Sequence, residues 1–118
     1  MWFGPAVATA EALLFGRRAG IDLGVLRGAL SDIAAASEFI RRDLDALLAD
    51  DYMTSFGVDR CHEELANVVG QARALGVPFE VSSSVERIYR RALARYGAAD
   101  GELLAAALLE EEAGVELR

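Results

Sequence analysis

Apolar residues recur along this chain every three or four positions, and no run alternates cleanly as a half-buried strand does. The pattern predicts helices almost throughout. The first covers residues 3–18, with Val7, Ala10 and Leu14 on one side and Leu13 beside them. Gly20 ends it, because a glycine just past a helix enters the left-handed region without a Cβ clash. Asp22 reads as the N-cap of the second helix, with Ile21 and Leu26 at the two ends of a hydrophobic staple. The stripe of that helix is Leu23, Leu26, Leu30 and Ile33, and its end is expected near the alanine run at Ala34.

Ser37 caps a third helix whose buried face is Ile40, Leu44, Leu47 and Leu48, leaving Arg41, Arg42, Asp43 and Asp45 toward water. Residues 50–55 break the period and are polar, so they form a loop. The fourth helix carries Val58, Cys61, Leu65, Val68, Ala72 and Leu75, and Gly76 with Pro78 ends it. A fifth carries Val85, Ile88, Ala92 and Tyr96, with Ser83 and Glu86 spaced as a capping box and Gly97 closing it. Asp100 is the expected cap of the sixth, over residues 101–113. The acidic end of that helix, Glu110, Glu111 and Glu112, opposes the macrodipole and is expected to fray at low salt. Six helices joined by short loops predict an all-α compact bundle forming one domain over residues 1–118.

Composition narrows the function. The 118 residues suffice for one core and not for two domains. The longest uncharged stretch, residues 1–10, is too short to cross a bilayer and has no basic flank, so neither membrane span nor signal peptide is expected. A single cysteine forms no internal disulfide, which fits a reducing, cytoplasmic setting or simply no dependence on oxidation. The net charge of −7 argues against nucleic acid, whose phosphates need a basic footprint. All twelve basic residues are arginine, which excludes a Walker P-loop, a Schiff base and lysine acid/base chemistry within this sequence.

The densest chemical cluster is Asp59, Arg60, Cys61, His62, Glu63 and Glu64. A metal would need His62 with Asp59 or Cys61, yet neighbouring helical residues diverge by about 100° and one histidine with one cysteine falls short of a zinc set. The same divergence defeats a Cys61–His62 nucleophilic pair and a facing Glu63–Glu64 pair. Cys61 therefore reads as a small core residue and His62 as the edge of a groove. Asp50 and Asp51 read as a solvated helix terminus, and Gly16, Gly20, Gly24 and Gly28 as single glycines with no phosphate cradle. The pairs Arg17–Arg18, Arg41–Arg42 and Arg90–Arg91 read as surface ion-pair partners. No catalytic residue and no metal site emerges.

The order of short landmarks adds a family. Ala10-Glu11-Ala12-Leu13 precedes Ala19-Gly20-Ile21-Asp22, then Ser37 enters a helix, Asp51-Tyr52 precedes Ser55-Phe56, and Leu75-Gly76-Val77-Pro78 follows the helix through Leu65. Tyr89 with Ala92, and Asp100 before the last helix, complete the series. In this order the chain, over residues 2–114, resembles the C-terminal helical domain of the β-hydroxyacid dehydrogenases, the group of 3-hydroxyisobutyrate and 6-phosphogluconate dehydrogenases. The resemblance implies a complete enzyme with an N-terminal Rossmann domain for NAD(P). It also implies a catalytic lysine at the start of a long helix, upstream of where this sequence begins.

On that resemblance the cofactor-facing positions are Phe56, Glu63 and Glu64. The family often has Lys-Asp where Glu63-Glu64 stand here, a reversal of sign that would repel a cofactor phosphate. Phe56 reads equally as packing at the start of the fourth helix. The chain alone is expected to bind no cofactor and to be inactive, with a Rossmann domain as a partner in trans. An alternative is a stand-alone oligomerisation module: Trp2, Phe3, Val7, Leu13, Leu14 and Phe15 give the first helix more apolar surface than one face needs, which predicts a homodimer. A third reading is a small-ligand groove near Phe56, His62 and Glu63.

Overall fold

The computed structural model describes residues 2–33 and 36–118, which contain seven helices and no strand. They are α1 (Phe3–Arg18), α2 (Leu23–Asp32), α3 (Glu38–Arg42), α4 (Leu44–Leu48), α5 (Val58–Ala74), α6 (Glu80–Tyr96) and α7 (Leu104–Ala113). Helix α1 is apolar on most sides, and it runs between two cores that use different sides of it. Ala6, Ala10, Leu13 and Leu14 pack with Phe39, Leu44, Leu47 and Leu103 in one core. Val7 packs with Val58, Cys61, Leu65, Val85 and Tyr89 in the other. The expectation that α1 needs an outside cover is thus largely corrected: its own chain covers it, and only Phe15, at 79% exposure, stays bare.

Asp22 caps α2 as expected, accepting the Val25 N–H at 3.2 Å. Leu23, Leu26 and Leu30 lean on the first core, yet no residue of α2 is fully buried, and Ile21 and Ile33 are exposed. Gly16 permits the approach, since a Cβ there would lie 2.6 Å from Leu26 Cδ1. The helix stops at Asp32; the expected end at Ala34 lies outside the described residues.

The single third helix is instead two short ones, broken at Asp43. The Asp43 carboxylate is not turned to water but accepts the Trp2 indole N–H at 2.8 Å. Phe39, which the periodicity left off the buried face, sits edge-on to Trp2 and is buried. In α5 the stripe slips by one residue, so that Val69 is buried while Val68 and Leu75 are exposed. A 3.6-residue period allows either spacing, and the neighbouring helix decides.

Helix α6 begins before the proposed capping box. Ser83 lies inside its first turn and donates to the Phe79 carbonyl at 2.6 Å, while Glu86 turns into the protein. Asp100 is no cap either: it pairs with Gly57 in an isolated antiparallel bridge, and α7 starts after Leu103 without a side-chain cap. The acidic end of α7 is tied down rather than loose. Glu110 accepts the Leu117 N–H at 3.0 Å and faces the Tyr52 hydroxyl at 3.2 Å, Glu111 pairs with Arg95 and Tyr96, and Glu112 with Arg91. These donors offset the unfavourable dipole.

Candidate functional site

A cleft of about 250 Å³ opens where the start of α1 meets the loop before α5. Trp2, Phe3 and Phe56 give it aromatic walls, and Cys61 lies among its lining residues. Arg42, Asp43, Glu64 and Glu102 supply its charges. A second hollow, of about 360 Å³, shares Trp2, Phe3 and Glu64 and extends along α5 past Leu65 and Val68. Trp2 is fixed by its bond to Asp43 and by edge-on contacts with Phe3 and Phe39 at 5.6 and 5.4 Å. Phe56 is about half exposed, but its backbone is held on both sides. Its N–H donates to Glu102 Oε1 at 3.1 Å and its carbonyl accepts the Gly101 N–H at 2.9 Å.

The structure therefore brings Phe56 and Glu64 into one cleft and leaves Glu63 out, exposed one helical step around α5. His62 is also elsewhere. Its Nε2 lies 2.9 Å from Glu86 Oε1, so a groove shared by Phe56, His62 and Glu63 does not form. Trp2, Arg42, Asp43 and Glu102 were not foreseen as lining residues, and they meet only through tertiary contacts.

The electrostatics of the cleft argue against proton transfer by its cysteine. Burial pushes the Cys61 thiol up to about 12, and the carboxylates of Glu102, Glu64 and Asp59 add to the shift. Burial also raises Glu102, partly opposed by the Phe56 N–H and reinforced by Asp43. Tyr89, behind them, is driven well above its ordinary value, mainly by burial, and donates its hydroxyl proton to the Glu102 carbonyl at 2.9 Å. Among the described residues no three of His, Cys, Asp and Glu are placed to hold a metal. The cleft can cover a flat, uncharged group and orient it between a guanidinium and carboxylates.

Away from the cleft, Glu86 is 4% exposed and accepts two hydrogen bonds from Arg90 Nη2, at 2.7 and 2.8 Å, besides its contact with His62. Burial pushes its carboxyl up, but the bonds and charges of Arg90 and His62 outweigh that and hold it below the usual carboxylate range. One signal was available in the sequence: Glu86 stands three residues before Tyr89, at the edge of the buried stripe of Val85, Tyr89 and Ala92. Of the arginine pairs, Arg90 and Arg91 do form ion pairs, Arg18 donates to the Ala113 carbonyl, and Arg17, Arg41 and Arg42 have no carboxylate partner among the described residues. Asp50 pairs with Arg118, and Asp51 accepts the Met53 N–H at 3.0 Å.

Comparison with known proteins agrees with this architecture. A family model described as the NAD-binding part of NADP-dependent 3-hydroxyisobutyrate dehydrogenase matches residues 1–109. Among solved structures, a 3-hydroxyisobutyrate dehydrogenase from Salmonella typhimurium superposes with a TM-score of 0.81 at 22% identity, over 91% of this chain. The chain spans 38% of the length of that enzyme. No curated protein sequence gives a significant match. No helix among the described residues is long and apolar enough to cross a membrane.

Proposed function

Because this chain belongs to the 3-hydroxyisobutyrate dehydrogenase family, we propose that it is the helical part of an NAD(P)-dependent hydroxy-acid dehydrogenase and supplies a wall of its cleft. The observation that carries this reading is the family match over residues 1–109 joined to an aromatic cleft at the same positions, where Phe56 and Glu64 stand together. The proton-transferring group comes from elsewhere: the sequence has no lysine, and burial holds Cys61 protonated.

The residues of the cleft do not suit the phosphates of a dinucleotide. One guanidinium, Arg42, stands against Asp43, Glu64 and Glu102, so the local charge is of the wrong sign. The role assigned to this chain is to cover an uncharged portion of a bound molecule, and the phosphates belong to a nucleotide-binding domain supplied in cis or in trans. The chain by itself is proposed to hold no cofactor. Mixing it with the nucleotide-binding domain of a family member, and following nicotinamide reduction with 3-hydroxyisobutyrate, tests the whole reading. Turnover by the combination alone, lowered by Phe56→Ala, is expected. Turnover by this chain alone, or a combination no faster than the added domain, overturns it.

Self-association is a second reading with its own support. Phe15 and Val25, at 79% and 63% exposure, are large apolar side chains left bare on the packed pair α1 and α2. A homodimer through helical packing, in a cytoplasmic setting, would cover them. A monomeric mass by light scattering at micromolar concentration sinks that reading.

A further inference from the structure

Helices α5 and α6 also enclose a groove of about 430 Å³ that shares no residue with the cleft. Arg73 enters it from α5, and Arg87 and Arg90 from α6. Its single carboxylate, Glu86, is already committed, bonded three times to Arg90 and once to His62. Arg73 and Arg87 have no carboxylate partner among the described residues; Arg87 donates only to Ser84 Oγ, at 2.8 Å. Arg87 and Arg90 stand three residues apart on one helix, a spacing at which like charges repel. On the opposite wall Gly70 leaves open space, since a Cβ there would meet nothing within 4 Å.

In a chain of net charge −7, a groove with three guanidinium groups and one committed carboxylate is a local reversal of sign. We infer that this groove binds a small, multiply charged oxyanion of the phosphate-ester class, held by Arg73 and Arg87 with Arg90 as a pinned third cation. The planar guanidinium fork matches phosphate oxygens, and two uncommitted cations call for a dianion. A single carboxylate would leave one of them uncompensated. Ser83, the serine that lines the groove, spends its hydroxyl proton on the Phe79 carbonyl, so the guanidinium groups are the donors left for the ligand. Glu80, which lines the neighbouring hollow with Ser84 and Arg87, repels an extended polyanion and restricts the site to a compact one. This site does not depend on the dehydrogenase reading.

Titration of the chain with inorganic phosphate and with a simple phosphate monoester, at constant ionic strength and followed by ¹H–¹⁵N NMR, tests the site. Saturable shifts at Gly70, Arg73, Ser84 and Arg87 are expected. The double variant Arg73→Gln/Arg87→Gln should weaken binding by about tenfold or more. Arg17→Gln/Arg60→Gln, which changes the net charge equally at distant exposed positions, should leave it intact. Shifts that stay linear and spread over all arginines overturn the inference. So does binding that survives the groove variant or falls equally in the control.

Discussion

The Trp2 indole N–H donates to Asp43 Oδ2 at 2.8 Å, joining the residue before α1 to the break between α3 and α4. Trp2 is the sole tryptophan, so its fluorescence reports this bond directly. Asp43→Ala should lower stability by about 1–2 kcal/mol, as expected for a part-buried donor that loses an acceptor, and shift the emission to the red. Asp43→Asn, which keeps an acceptor oxygen, should recover most of both. An unchanged spectrum in the alanine variant counts against the bond.

Glu86 makes the fold sensitive to acid. Burial opposes its ionised form, but the bonds to Arg90 and His62 leave its folded value below the unfolded one. Its contribution is complete above the ordinary carboxyl range and disappears as pH falls through the lower, folded value. Glu86→Gln should cost about 1–3 kcal/mol at neutral pH and flatten the acid limb of the stability curve. Equal acid slopes in the two proteins, measured by urea titration, refute this.

Glu102 behaves in the opposite sense. Burial raises its folded value above the unfolded one, so its favourable effect is full at low pH and is lost as pH rises through that raised value. Glu102→Gln retains an acceptor for the Phe56 N–H and removes a charge near Asp43. It should therefore match or exceed the parent in melting temperature at pH 7. A marked loss there contradicts the raised value.

Cys61 is buried, with its thiol held protonated up to about 12. A thiol reagent at pH 8 should react with the native chain only at the rate of unfolding, and rapidly once denaturant is added. Fast labelling of the folded protein would show that the thiol is open.

Local grammar was enough for α1, whose stripe and glycine stop read directly from the sequence, and for the extent of α5, whose stripe nonetheless slips from Val68 to Val69. It failed where a distant partner took a side chain away from its neighbours. Asp43 is claimed by a tryptophan 41 positions earlier, which splits what the periodicity reads as one helix. Ser83 and Glu86 carry the spacing of a capping box, yet Glu86 answers to His62 across the α5–α6 pair. Asp100 is likewise drawn to Gly57. The cleft was legible only in Phe56 and Glu64, because Trp2, Arg42 and Glu102 arrive from segments that no sequence interval links.

Helix α2 is held by a cap, by Leu26 against a bare Gly16 and by an ion pair between Arg27 and Asp45, but it seals nothing inside itself. It gives the first core only partly buried side chains, Leu23, Leu26 and Leu30, and the second core none, so it should open at a lower cost than the helices that carry fully buried ones. Its amides should exchange with deuterium ahead of those of α1 and α7, and a protease should find its entry there. Loosening of α2 would bare the flank of α1 around Gly16, where Leu26 now lies against the backbone.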